Sequence, residues 1–170
     1  MVVREAGLLR ITLSHRMATF LGRSEHTLDD KGRLILPKRI LDQVAPSDRE
    51  FTLTAGPEGC LMLLDATAWR AVSESAGVGV LGSKQQRAMR RIFLGHAEQV
   101  RPDRSHRISI AEGLRGYAGL SEKSEAVLVG TGESFEIWSK SRWDAALADA
   151  VSSYEFSDND LVGSAAASQP

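Results

Sequence analysis

Residues i and i+74 of this 170-residue chain match in type along most of its length without a gap, which restricts the fold to two copies of one supersecondary unit. Asp29 falls on Asp103, Arg33 on Arg107, Leu34 and Leu36 on Ile108 and Ile110, Ile40 on Leu114, and the turn residue Gly56 on Gly130. At the same offset Leu61 and Leu63 meet Phe135 and Ile137, and Trp69 meets Trp143. A repeated tryptophan together with a repeated Asp-x-x-x-Arg lies beyond chance agreement. The copies run from about Phe20 to Gly95 and from Glu98 to Ser152.

Each copy reads as a strand, a tight turn, a second strand, a short helix, a hairpin and a longer helix. His26 to Leu28 and Arg33 to Leu36 flank Asp29-Asp30-Lys31-Gly32, whose Asp and Gly favour a sharp reversal. Pro37 suits the first turn of a helix running to about Val44. Phe51 to Ala55 and Cys60 to Leu64 are apolar and separated by Gly56-Pro57-Glu58-Gly59, the pattern of a hairpin, after which Asp65 caps a helix carrying Trp69 and Val72 on one face. The second copy repeats the order with Arg107 to Ile110, a helix from about Ala111, then Ala126 to Val129, Phe135 to Trp138, and Ser139 as cap. Trp69, Trp143, Phe135 and Trp138 are expected in the core.

Between the copies, Ser83 to Gly95 predicts a helix with Met89, Ile92 and Phe93 on one buried face and Lys84, Arg87, Arg90 and Arg91 mostly on others. Domain organisation follows from these readings. Residues 1–19 are expected to form a disordered N-terminal extension, with Met17 a candidate alternative start; 20–97 form the first repeat with its linker helix; and 98–153 form the second. Residues 154–170 end in Gly-Ser-Ala-Ala-Ala-Ser-Gln-Pro, too small and polar to bury surface, and are expected to be a disordered tail.

The formal charge of -1 means that attraction to a polyanion cannot come from the whole molecule, so any nucleic-acid contact must use local basic patches. Cys60 is the only cysteine, which excludes an intramolecular disulfide and a thiolate zinc cluster and suits a reducing cytoplasm. Apolar runs such as Leu61 to Leu64 fall far short of the roughly 20 residues a membrane span needs, and residues 1–16 carry no secretory cleavage pattern. None of His15, His26, His96 and His106 sits with a nucleophile in a Gly-x-Ser-x-Gly pattern, and neither an HExxH nor a Walker sequence occurs. The chain is therefore not expected to be an enzyme; no catalytic residue, metal, cofactor or small-molecule substrate is indicated.

The repeated Asp-x-x-x-Arg at a turn admits two readings. In one, the Asp29 carboxylate accepts hydrogen bonds from turn amides, Gly32 supplies backbone freedom, and Lys31 and Arg33 project from a preorganised loop toward phosphate or the guanine O6/N7 edge. In the other, the turn is merely closed by an internal ion pair. A third possibility is an interaction module that uses the fold only to oligomerise. The surrounding residues favour the first. Phe20-Leu21-Gly22, then Leu28-Asp29-Asp30-Lys31-Gly32-Arg33, then Pro37, resembles the opening signature of the MraZ family. That family carries a second Asp-x-x-x-Arg after a stretch like Phe93-Leu94-Gly95-His96-Ala97, and Asp103 to Arg107 stands where it belongs, so the resemblance spans about Phe20 to Val151.

The resemblance implies an α+β fold centred on a β-barrel. Two tandem SpoVT/AbrB-like repeats would together form the swapped-hairpin-type barrel, with peripheral helices, that related single-repeat proteins build by dimerising. It further implies a sequence-specific repressor, cytoplasmic and nucleoid-associated, without a cofactor. Such a protein forms a ring-shaped homo-oligomer on double-stranded DNA, at direct repeats upstream of its own gene in the cell-division and cell-wall cluster. Carried onto this chain, Arg33 becomes the principal DNA contact with Lys31 in support, Arg107 its counterpart, and Asp29, Gly32 and Asp103 the residues that shape the turns. The second motif, Asp103-Arg104-Ser105-His106-Arg107, departs by lacking both the Lys and the Gly. Either Arg104 or His106 compensates, or the second loop has become mainly structural.

Overall fold

The apolar positions of the first copy recur at the same offset in the second, together with Asp29 and Gly56 as Asp103 and Gly130, so the elements start in step. The computed structural model describes residues 20–77 and 82–153. The extension expected over 1–19 and the tail expected over 154–170 lie outside them. In chain order the elements are β1 (Phe20–Thr27), β2 (Arg33–Ile35), α1 (Lys38–Leu41), β3 (Phe51–Ala55), β4 (Leu61–Leu64), α2 (Ala66–Gly77) and α3 (Lys84–Phe93). They continue with β5 (Glu98–Val100), β6 (Arg107–Ser109), α4 (Glu112–Ala118), β7 (Glu125–Gly132), β8 (Phe135–Ser139) and α5 (Lys140–Ser153). The starts of β2, α1, β3, β4 and α2 at Arg33, Lys38, Phe51, Leu61 and Ala66 return as Arg107, Glu112, Glu125, Phe135 and Lys140 in β6, α4, β7, β8 and α5.

The two copies are joined by exchanged strands. One antiparallel sheet runs β1-β7-β8-β4-β3-β5, and β2 pairs with β6 in a separate two-stranded ribbon. The hairpins β3–β4 and β7–β8 meet through β4 and β8, with Leu61 opposite Ile137 and Leu63 opposite Phe135. On the outside, β1 of the first copy pairs with β7 of the second, while β5 of the second pairs with β3 of the first. The strands flanking the Asp29 turn thus find their partners in the other copy rather than in each other. A single copy would leave its first two strands without ladder partners, so its backbone donors and acceptors are satisfied only when both copies fold together. The fold is mixed α+β with a mostly antiparallel sheet. Among the described residues that sheet ends at β1 and β5, so their hydrogen-bond ladder does not close the barrel expected from the resemblance.

Apolar residues of both copies fill one core, with Phe20, Leu34, Leu36, Ile40, Leu53, Leu61 and Leu63 packed among Ile108, Ile110, Leu114, Leu128, Phe135 and Ile137. The Phe20 and Phe135 rings lie 4.6 Å apart between centroids. At Gly130 a Cβ would stand 2.5 Å from the Phe20 carbonyl oxygen, so glycine there lets β1 come close enough to pair. Of the four aromatics expected in the core, Phe135 and Trp138 are buried, whereas Trp143 packs on Trp138 and Trp69 stacks on Phe93 at 5.6 Å while each stays partly exposed.

Helix α3 starts at a capping box between Ser83 and Gln86 and buries Phe93. The expected three-residue buried face is reduced to that residue, because Met89 is 56% and Ile92 40% exposed. Periodicity identifies a helix face but does not supply an element to cover it. Cys60 is fully buried, and burial pushes its thiol up to about 12, far from the reactive thiolate range.

Candidate nucleic-acid interface

The first Asp-x-x-x-Arg forms a fully determined turn. The Asp29 amide donates to the Arg33 carbonyl at 2.9 Å and the Gly32 amide to the Asp29 carbonyl at 3.1 Å. Asp29 Oδ1 accepts from the amides of Lys31 and Arg33, both at 2.9 Å, and its Oδ2 accepts from Arg33 Nε at 2.7 Å. Gly32 sits at φ +69°, and a Cβ there would fall 2.7 Å from Nε of Arg115, which reaches the turn from α4 of the other copy. Glycine suits this conformation, and a larger side chain here would in addition have to displace the Arg115 guanidinium.

The second motif builds the same turn from different residues. Asp103 Oδ1 accepts from the amides of Ser105 at 2.8 Å and Arg107 at 2.9 Å, and Oδ2 accepts from Arg107 Nε at 3.0 Å. His106 takes the place of glycine at φ +62°, a conformation that histidine visits more readily than most side chains. The missing glycine leaves the loop geometry unchanged.

The β2–β6 ribbon, with Leu34 opposite Ile108, brings the two turns together. Arg33 Nη1 lies 3.9 Å from Asp103 Oδ2 and Arg107 Nη1 lies 3.8 Å from Asp29 Oδ2, so four charges form a reciprocal square beside the ribbon. These cross-loop contacts are long, and the four side chains are 27–37% exposed, so solvent screening leaves the pairs little net worth as stabilisers. Their consequence is orientation, because each guanidinium is clamped through Nε and Nη2 and retains donors on its outer edge. Lys31 and Arg104 are exposed at the loop tips, and among the described residues no side-chain ion pair engages either. They are not repeat equivalents: Lys31 corresponds to Ser105 and Arg104 to Asp30.

The Arg33 side chain, followed by the Arg33 amide, holds the Asp29 carboxyl down from 3.8 to about 2; the Arg107 amide likewise lowers Asp103. A carboxyl with a depressed folded-state pKa contributes stability that is present above its unfolded value and lost as pH falls through the folded value. The Asp29 pairing is thus complete above about pH 4 and disappears toward pH 2. A carboxyl-detected NMR titration is expected to place the Asp29 midpoint near 2 in the wild type and closer to 3.8 in Arg33→Ala. A wild-type midpoint near 3.8 would contradict the clamp.

Arg115 and the cross-loop pairs escape sequence reasoning, since both depend on contacts between copies that no local pattern encodes. Among the described residues, no group of three His, Cys, Asp or Glu side chains could hold a metal ion. No described helix is long and apolar enough to cross a membrane.

Fold and site together define a tandem-repeat protein whose copies exchange strands to set two Asp-clamped arginine turns side by side. The sequence matches the family described as "MraZ protein, putative antitoxin-like" over residues 19–91 and again over 93–161, and the chain belongs to this family. It is 36% identical over 143 residues to the transcriptional regulator MraZ of Pediococcus pentosaceus, covering 84% of this chain and 96% of that protein. Identity to the transcriptional regulator MraZ of Nitrosomonas europaea is 34% over 140 residues, 82% of this chain and 93% of that one. The protein of the same name from Kocuria rhizophila is 36% identical over 143 residues, again 84% and 96% of the two chains.

Proposed function

We propose that this protein is a transcriptional regulator, a sequence-specific DNA-binding repressor that acts on DNA upstream of its own gene in the cell-division and cell-wall cluster. Arg33 and Arg107 are the principal contacts, Lys31 and Arg104 add phosphate contacts, and Asp29, Gly32 and Asp103 shape the turns. The observation that carries this reading is the convergence of both arginine turns on one ribbon. A guanidinium already held by a carboxylate loses less side-chain freedom on binding than a free one, and its remaining donors suit phosphate or guanine. The names of the relatives give the same direction.

The two turns hold four cations against three carboxylates, leaving one net positive charge. A single ribbon should therefore bind weakly. In the proposed mechanism a ring-shaped homo-oligomer places several ribbons on successive direct repeats, and affinity arises from effective concentration. The exchanged strands favour reading the domain as a swapped-hairpin barrel of the SpoVT/AbrB-like kind. Repression follows from occupancy of promoter DNA at the nucleoid, in the cytoplasm, with neither a cofactor nor a catalytic step.

The same ion pairs favour one alternative, in which they only close the turns and DNA plays no part. Fluorescence anisotropy with the upstream duplex and a shuffled duplex separates the two. Preference for the upstream duplex supports the repressor, and binding to neither duplex supports the alternative. With about six phosphates engaged, affinity is expected to fall roughly a thousandfold between 50 and 200 mM salt; a nearly flat dependence would remove the phosphate contacts from the account.

A further inference from the structure

The outward face of the β2–β6 ribbon carries more than the two arginines. Side chains alternate along a strand, so Arg33 and Ile35 share the face opposite the buried Leu34, and Arg107 and Ser109 share the face opposite the buried Ile108. The register sets Ile35 directly across from Arg107 and Ser109 across from Arg33. Ile35 is 44% exposed. Isolated exposed apolar side chains are ordinary, and a β-branched residue is favoured in any strand. The position of Ile35 is what distinguishes it. Among the described residues the other large exposed apolar side chains, Leu21, Met89, Ile92, Leu147 and Val151, belong to β1, α3 and α5, whereas Ile35 lies on the face that presents both guanidinium groups.

We infer that Ile35 is a specificity-determining residue of the DNA site, placing its branched side chain against the C5-methyl group of a thymine in the major groove. This rests on the proposed DNA-binding role of the ribbon. A two-stranded ribbon fits the major groove, and the thymine methyl is the one apolar feature that a base pair offers there. The symmetry of the ribbon adds a consequence. Two identical turns would read two identical half-elements, but the position equivalent to Ile35 is Ser109, a small hydroxyl with no apolar surface to offer a methyl. Asp30 against Arg104 and Lys31 against Ser105 break the equivalence further. The ribbon therefore reads a non-palindromic element whose Ile35 half is marked by thymine.

The test replaces each thymine of the upstream duplex in turn with deoxyuridine, which keeps the hydrogen-bonding edge and removes only the methyl, and measures affinity by anisotropy for wild type, Ile35→Ser, Ile35→Val and Arg33→Ala. At one thymine the wild type is expected to lose about fourfold, the worth of roughly one buried methyl. Ile35→Ser should bind the normal duplex about fourfold more weakly for each ribbon engaged and be indifferent to deoxyuridine at that position, while Ile35→Val, which keeps a branched apolar side chain, should retain the discrimination. Ile35→Ser discriminating as well as wild type, or no thymine mattering to wild type, would overturn the inference and leave the repressor reading in place. Failure of that reading looks different: wild type would show no preference for the upstream duplex and Arg33→Ala would bind as wild type does.

Discussion

Arg33→Ala is expected to abolish measurable binding to the upstream duplex while leaving the mass measured by light scattering as in the wild type. A well-placed guanidinium against a guanine edge contributes about 1–3 kcal/mol of discrimination, or roughly fivefold to 150-fold for each ribbon engaged. When several ribbons of one assembly bind together, these factors multiply. Arg107→Ala should behave similarly, because the second turn reproduces the hydrogen bonds of the first despite His106 in place of glycine. Asp29→Ala separates positioning from charge. It removes a carboxylate from the surface and so raises affinity for any duplex, yet it frees the amides of Lys31 and Arg33 and the Arg33 side chain, so the preference for the upstream sequence should fall. If Asp29→Ala kept full preference, the clamp would have no part in recognition.

Phe135→Ala is expected to have the largest effect on stability, about 3–5 kcal/mol. Its ring is buried, lies 4.6 Å from that of Phe20, and belongs to β8, the strand through which the two hairpins join. For a domain of this size the loss corresponds to a fall in melting temperature of about 10–15 °C. The shape of the transition is as informative as its midpoint. Because β1 completes the second copy's sheet and β5 the first copy's, both copies should melt in one cooperative step, in the variant as in the wild type. Two resolved transitions in calorimetry would contradict the exchange of strands.

Much of the local structure was legible in the sequence because it depends on residues close together. The Asp29 turn, the cap at Asp65, the hairpin around Gly56 and the helix after Ser83 each follow from side-chain and backbone preferences within a few positions. The 74-residue offset extended those readings to the second copy. Partnership between copies was not legible. Nothing in β1 states that its ladder partner is β7, about a hundred residues away, since Phe20 opposite Gly132 is a long-range choice made by the packing of the whole core. The reciprocal pairing of Arg33 with Asp103 and of Arg107 with Asp29 depends on that choice, as does the seat of Arg115 behind Gly32. The exposure of Met89 and Ile92 has the same origin, because a helix pattern shows where apolar side chains point but not whether a neighbour is there to receive them.

The most direct test of the central claim is to watch the arginine side chains themselves. The Nε–H resonances of 15N-arginine-labelled protein, assigned with Arg33→Lys and Arg107→Lys, are followed as the upstream duplex is added. The Arg33 and Arg107 resonances are expected to shift together, with little change when the shuffled duplex is added at the same concentration. If both stay in place while arginines of α3 such as Arg87 and Arg91 respond, the Asp-x-x-x-Arg turns are structural and the nucleic-acid surface lies elsewhere on the molecule.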